Sequence, residues 1–185
     1  MPVAALIVLA TAAPAAAASL TLTDAQKRDA LRVGERSITQ ETFGGEWRVR
    51  GANGETATVV TPFHRVALAG RNAAFEQKAV KPAEIERLLR EQAARLILWV
   101  TVRGPKEDFA RYYAPRLVVG DREIKATFVQ NERTAARQDD GEYLARCVYG
   151  FPTRDLTATT RATLVVADAD GKDVTRFSVD LGAMR

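Results

Sequence analysis

Leu96-Ile97-Leu98-Trp99-Val100-Thr101-Val102-Arg103-Gly104 is the stretch on which the fold turns. Side chains alternate across a strand, so Leu96, Leu98, Val100 and Val102 share one face while Ile97, Trp99 and Thr101 share the other. Both faces begin apolar, and a strand apolar on both faces belongs in the middle of a sheet. The pattern predicts a central strand.

Upstream of it the period changes to a helical one. Pro82-Ala83-Glu84 opens a segment with Ile85, Leu88, Leu89, Gln92, Ala93 and Leu96 at helical spacing. Glu84 and Glu86 sit in its first turn and Arg90 and Arg95 late, as the helix dipole prefers. Before it, Thr61 can cap a helix that Pro62 starts. Phe63, Val66, Ala67, Ala74 and Phe75 make its apolar stripe. These two segments predict a helical hairpin over about residues 62–95. Earlier still, Gly45 to Val60 reads as two strands joined at Asn53-Gly54 by a type I′ turn. The first helix is expected after Thr23 or Asp24, with Gly34 weakening or ending it.

Downstream, the strand period persists. Pro115 to Gln130 reads as a hairpin about Gly120-Asp121. Glu142 to Phe151 is a further strand, and Thr160 to Leu181 a final hairpin about Asp170-Gly171, with Phe177, Val179 and Leu181 on one face. Short strands at this spacing predict an α+β fold that is mainly β: an antiparallel, immunoglobulin-like β-sandwich with the helical hairpin inserted. One domain over residues 19–185 is expected.

The first 23 residues carry no charge. An apolar run from Val3 to Ala10, a break at Pro14 and the small residues Ala16 and Ala18 before Ser19 fit a secretory signal peptide over residues 1–18. No positive charge precedes the run, which suggests a start upstream of Met1 that carries Lys or Arg. An uncleaved segment would instead tether the protein to a membrane. The expected location is periplasmic or secreted.

The net charge of +4 is spread thinly: from Asp24 to Arg50, six basic residues interleave with five acidic ones. Nucleic-acid binding would cluster one sign on one face, so it is not expected. Cys147 is the single cysteine, so no intramolecular disulfide can form. It sits in a strand-like run and reads as a small buried hydrophobe.

No complete catalytic set emerges. His64, the only histidine, lies at the start of a predicted helix, where it could serve as a base or bind an anion together with Arg65. Ser37 and Ser178 lack a nucleophile-elbow pattern, and nothing local couples Cys147 to His64. One His and one Cys cannot build a zinc site. Asp168 to Asp173 has its glycine two positions early for a calcium loop and reads as a turn. The carboxylates at Glu107-Asp108 and Asp139-Asp140 read as solvated loops. No catalytic residue, metal or cofactor is assigned. The candidate ligand-binding residues are His64 and Arg65 together with Arg111, Tyr112 and Tyr113, whose types favour interfaces.

The order of Leu22-Thr23-Asp24-Ala25-Gln26, then Thr61-Pro62-Phe63-His64-Arg65-Val66-Ala67, then a late Phe177-to-Arg185 strand resembles uncharacterised exported bacterial proteins with a sandwich-like domain. That resemblance implies an envelope or secreted location and no particular activity. Two functions follow as expectations. One is a non-catalytic protein that binds another envelope or extracellular component. The other is a small-ligand binder or hydrolase with its site near His64 and the helical hairpin. A pocket converging on His64 favours the second; a packed junction favours the first.

Overall fold

The computed structural model describes residues 20–185; the expected signal peptide lies outside the described residues. Three helices and two sheets make an α+β fold, and every strand pairing among the described residues is antiparallel. The helices are α1 (Asp24–Arg36), α2 (Pro62–Phe75) and α3 (Pro82–Gln92). The first sheet runs β1 (Arg48–Arg50), β2 (Thr56–Val60), β3 (Arg95–Gly104), β8 (Tyr143–Pro152), β6 (Phe128–Gln130), with the short β7 (Ala136–Arg137) also on β8. The second runs β10 (Asp173–Asp180), β9 (Arg161–Ala167), β4 (Ala114–Val119), β5 (Arg122–Lys125).

The central position predicted for β3 is the observed one, between β2 and β8. Leu98 lies opposite Val59 and Tyr149, and Val100 opposite Ala57 and Cys147. These rows are buried, and one hydrophobic cluster joins them to Leu117, Leu164, Val166, Phe177 and Val179 of the second sheet. Each such aliphatic side chain contributes about 1.5–3 kcal/mol by leaving water. On its other face β3 presents Trp99, which meets His64 of α2.

Glycines at positive φ close the hairpins. Gly120 (φ +57) turns β4 into β5, with Val119 opposite Arg122. At the β9–β10 turn, Gly171 has φ +79, and the Asp168 carboxylate accepts from the N–H groups of Asp170 and Lys172. The β1–β2 connection departs from the expected type I′ turn. Gly54 alone takes positive φ, the Gly51 N–H reaches Glu55 O at 2.8 Å, and the Glu55 carboxylate accepts from Asn53 N–H. The side-chain bond holds the wider loop that a two-residue turn would have made unnecessary.

Gly34 does not end α1; the helix continues to Arg36. A Cβ on Gly34 would lie 1.9 Å from the Ala67 carbonyl oxygen, and one on Gly70 would lie 2.8 Å from Leu31 O. The two glycines let α1 and α2 cross almost backbone to backbone, and this is the most extensively packed helix pair. The dominant partner of α2 is therefore α1, not the α3 of the expected hairpin. Beyond the crossing, the Arg71 guanidinium donates to Ser37 O (2.6 Å) and Gln40 O (3.1 Å), satisfying carbonyls that the helix end leaves open. Phe75, expected on the buried stripe, is 78% exposed, because the covered face of α2 ends at Gly70.

Gly34→Ala tests the crossing. Alanine gains about 1 kcal/mol of helix propensity, but the clash with main-chain atoms forces the helices apart at about 3 kcal/mol. The expected net loss is about 2 kcal/mol in urea unfolding. A stabilised variant would mean that the helices separate freely.

Candidate functional site

The start of α2 is tied to the last residue of the sequence. Thr61 caps the helix by accepting from His64 N–H (3.1 Å), and its hydroxyl donates to the main-chain oxygen of Arg185 (2.5 Å). Trp47 Nε1–H donates to that same oxygen at 2.7 Å. The Arg185 side chain grips the Glu46 carboxylate with two bonds of 2.9 and 2.7 Å while lying over the Phe63 ring. His64 sits in the centre of this arrangement, 3% exposed. Its ring stacks on Trp47 at 4.5 Å between centroids, meets the edge of Trp99 at 5.9 Å, and has Phe43 at 6.2 Å.

Burial dominates the chemistry of His64. Desolvation lowers its pKa to about 4; the Glu46 carboxylate opposes that shift and the Arg65 guanidinium adds to it. The imidazole is neutral at pH 7, and its Nδ1 has no hydrogen-bond partner among the described residues. Cys147 lies in the Val100 row, on the opposite face of the sheet from Trp99, and burial pushes its thiol upward. The sheet thus stands between the one thiol and the one imidazole. The surroundings of His64 are a packed aromatic junction.

Arg65 follows His64 but points elsewhere. It lines a groove of about 410 Å³ between α2 and α3, and a smaller pocket of about 200 Å³ over the first sheet. One guanidinium nitrogen is 4.0 Å from Glu91, while its Nε is buried without a hydrogen-bond partner among the described residues. Gln92, on α3, borders the same small pocket; its Nε2 donates to the Val60 carbonyl.

Arg111, Tyr112 and Tyr113 form a separate place, on the loop between β3 and β4. This loop is pinned. Asn131 Nδ2 donates to Tyr113 O at 2.8 Å, and Tyr149 OH donates to Asn131 Oδ1 at 3.1 Å. Phe109 packs so tightly on Gly104 that a Cβ there would come within 2.3 Å of the ring, and its other side meets the edge of Tyr113 at 5.6 Å. Burial raises the Tyr113 phenol pKa. Tyr112, by contrast, is 66% exposed with the Arg111 guanidinium 5.4 Å above its ring. The candidate residues therefore divide among three places: His64 in the aromatic junction, Arg65 on the pockets beside α3, and Arg111 with the tyrosines. Arg116, the nearby cation, is taken up by Glu123 and Asp173.

Sequence reasoning did not find Trp47, Gln92 or Asn131. For Gln92 a signal existed, since an amide occupies a position of the α3 stripe otherwise filled by Ile85, Leu88 and Leu89. For Trp47 and Asn131 the partners lie far along the chain.

Among the described residues there is no group of three or more His, Cys, Asp or Glu side chains placed to hold a metal, and no helix long and apolar enough to cross a membrane. No family model and no curated protein matches the sequence. A crystal structure of a protein of unknown function from Burkholderia pseudomallei superposes with a TM-score of 0.44 at 11% identity, covering 88% of this chain and 91% of that one.

Proposed function

We propose that this is an exported, non-catalytic protein of the bacterial envelope or its exterior that binds another protein component through the loop bearing Arg111 and Tyr112. Its two sheets would stack as an immunoglobulin-like sandwich, a reading supported by the single cluster shared between them. Export is supported by the signal-like pattern of residues 1–18. One observation carries the binding assignment: Tyr112 is exposed, stacked under Arg111, on a loop whose backbone is already fixed through Asn131. Tyrosine and arginine dominate binding hot spots, and a loop that is ordered beforehand loses little entropy on association.

A photo-reactive amino acid at position 112, introduced in the producing cells, tests this. A discrete cross-linked protein is expected at 112 and none at Asp170, an exposed turn residue elsewhere. Arg111→Ala should lower the adduct yield about tenfold, and the adduct should contain a chain beginning near Ser19. Equal cross-linking at both positions would reject the loop as the contact. A cytoplasmic chain that keeps residues 1–18 would reject export.

A further inference from the structure

A row of residues runs across the first sheet: Val60 of β2 opposite Ile97 of β3, Ile97 opposite Gly150 of β8, and Gly150 opposite Phe128 of β6. At Gly150 the row has no side chain, and Phe128 and Ile97 close over it. A Cβ on it would lie 3.1 Å from Phe128 Cβ and 3.2 Å from Ile97 Cδ1. Above this apolar floor stand Arg65, Glu91 and Gln92 from the helices and Arg95 from the start of β3, enclosing about 200 Å³.

Two residues that line this pocket each carry a buried polar atom with no hydrogen-bond partner among the described residues: Arg65 Nε, a donor, and Gln92 Oε1, an acceptor. Gln92 is 8% exposed. Its Nε2 is committed to the Val60 carbonyl, so the amide cannot exchange its ends without losing that bond. Buried polar groups are almost always paired, so such atoms call for an explanation, and two on one pocket share one. The ionic side chains lining the pocket are two arginines and one glutamate. Glu91 is held by Arg87 at 2.8 Å and stands 4.0 Å from Arg65. Arg65 and Arg95 leave the rim cationic.

The complementary ligand carries an anion for the arginines, an N–H for Gln92 Oε1 and a short apolar body for the floor. A carboxylate one carbon away from an amide N–H, with an aliphatic side chain on that carbon, meets all three requirements. We propose that this pocket binds the terminal residue of an N-acyl amino acid or peptide. Arg65 Nε and Arg95 take the carboxylate, Gln92 takes the amide N–H, and the side chain lies over Val60, Ile97 and Phe128. The volume is below the roughly 300–1,000 Å³ of whole-ligand sites and suits one residue. This site is separate from the Arg111–Tyr112 loop and stands or falls independently of it.

The test is a titration of the isotope-labelled protein followed by backbone amide shifts. N-acetyl-leucine is expected to give saturable shifts at Gln92, Ile97 and Phe128. N-acetyl-leucinamide, lacking the anion, should bind about tenfold more weakly. Arg65→Lys, which keeps the charge but loses Nε, and Arg95→Gln, at an exposed position, should each weaken the acid about tenfold with an unchanged melting temperature. Should Arg65→Lys fail to fold, Arg95→Gln decides. An acetylated tripeptide ending in leucine separates the sources. Tighter binding than N-acetyl-leucine assigns the site to a chain terminus, and equal binding assigns it to a small acyl amino acid. No saturable shift, equal affinity for acid and amide, or an unaffected Arg95→Gln variant overturns the proposal.

Discussion

Trp47→Ala lowers the unfolding free energy by about 4 kcal/mol, the range expected for truncating a buried indole. The side chain is 1% exposed and stacks on His64, with Phe63 and Phe43 against its other parts. Truncation leaves a cavity between α2 and the segment before β1, and it removes one of the two donors to the Arg185 main-chain oxygen. Trp47→Phe separates the two effects. It retains most of the ring contact but loses the N–H, so its loss should fall to about 1–2 kcal/mol. Urea unfolding at pH 7 measures both. A loss below about 1 kcal/mol for the alanine variant would mean that the junction collapses around the hole and does not depend on the indole to hold Arg185.

Local chemistry makes much of this fold readable in the sequence. β3 declared its central place by being apolar on both faces, and the β4–β5 and β9–β10 turns were marked by Gly120 and Gly171, which take positive φ. Thr61 was legible as a cap, and the first cap was narrowed to Thr23 or Asp24, of which Thr23 caps α1, because such side chains before a helix-forming run satisfy an orphan N–H. Distant residues decided the failures in the helices, whereas at the β1–β2 turn a near neighbour, Glu55, did. Gly34 has the propensity of a helix stop, yet the approach of Ala67 turns its missing Cβ into a packing requirement. Phe75 keeps the helical period of the stripe, but no element covers that end of α2.

The same division separates the parts of the candidate sites. His64 stood out as the only imidazole, but its burial depends on Trp47 and Trp99, which lie 17 residues before it and 35 after it. Arg111 to Tyr113 were visible by composition, whereas the rigidity of their loop comes from Asn131 and Tyr149. The pocket under Arg65 needed a register in which Gly150 falls between Ile97 and Phe128. Pairing of that kind is a property of four strands together and leaves no mark on any one of them.

His64 also makes the protein acid-sensitive in a definite window. Its pKa is 6.5 in the unfolded chain and about 4 in the folded one, so between those values the unfolded state binds the additional proton. Stability is therefore unaffected above pH 6.5, falls as the pH drops through that value, and has lost about 3 kcal/mol by pH 4, below which this group adds nothing more. The charged groups around the ring are Glu46, Arg65 and Arg48. The carboxylate favours protonation and the two arginines resist it, but desolvation outweighs all three. Other groups act at lower pH. Arg103 holds Asp140, and Arg116 holds Asp173, below the ordinary carboxylate value of 3.8, so their contribution is present above that value and is lost only as the pH falls below it. The two windows meet only below about pH 5, so the histidine is separable above that value. His64→Phe keeps a ring against Trp47 and removes the titration. Urea unfolding from pH 7 to pH 5 should show the onset of the loss, about 2 kcal/mol, in the natural protein and a flat profile in the variant. The same slope in both would place the acid sensitivity elsewhere and mean that the imidazole opens to water before it takes up its proton.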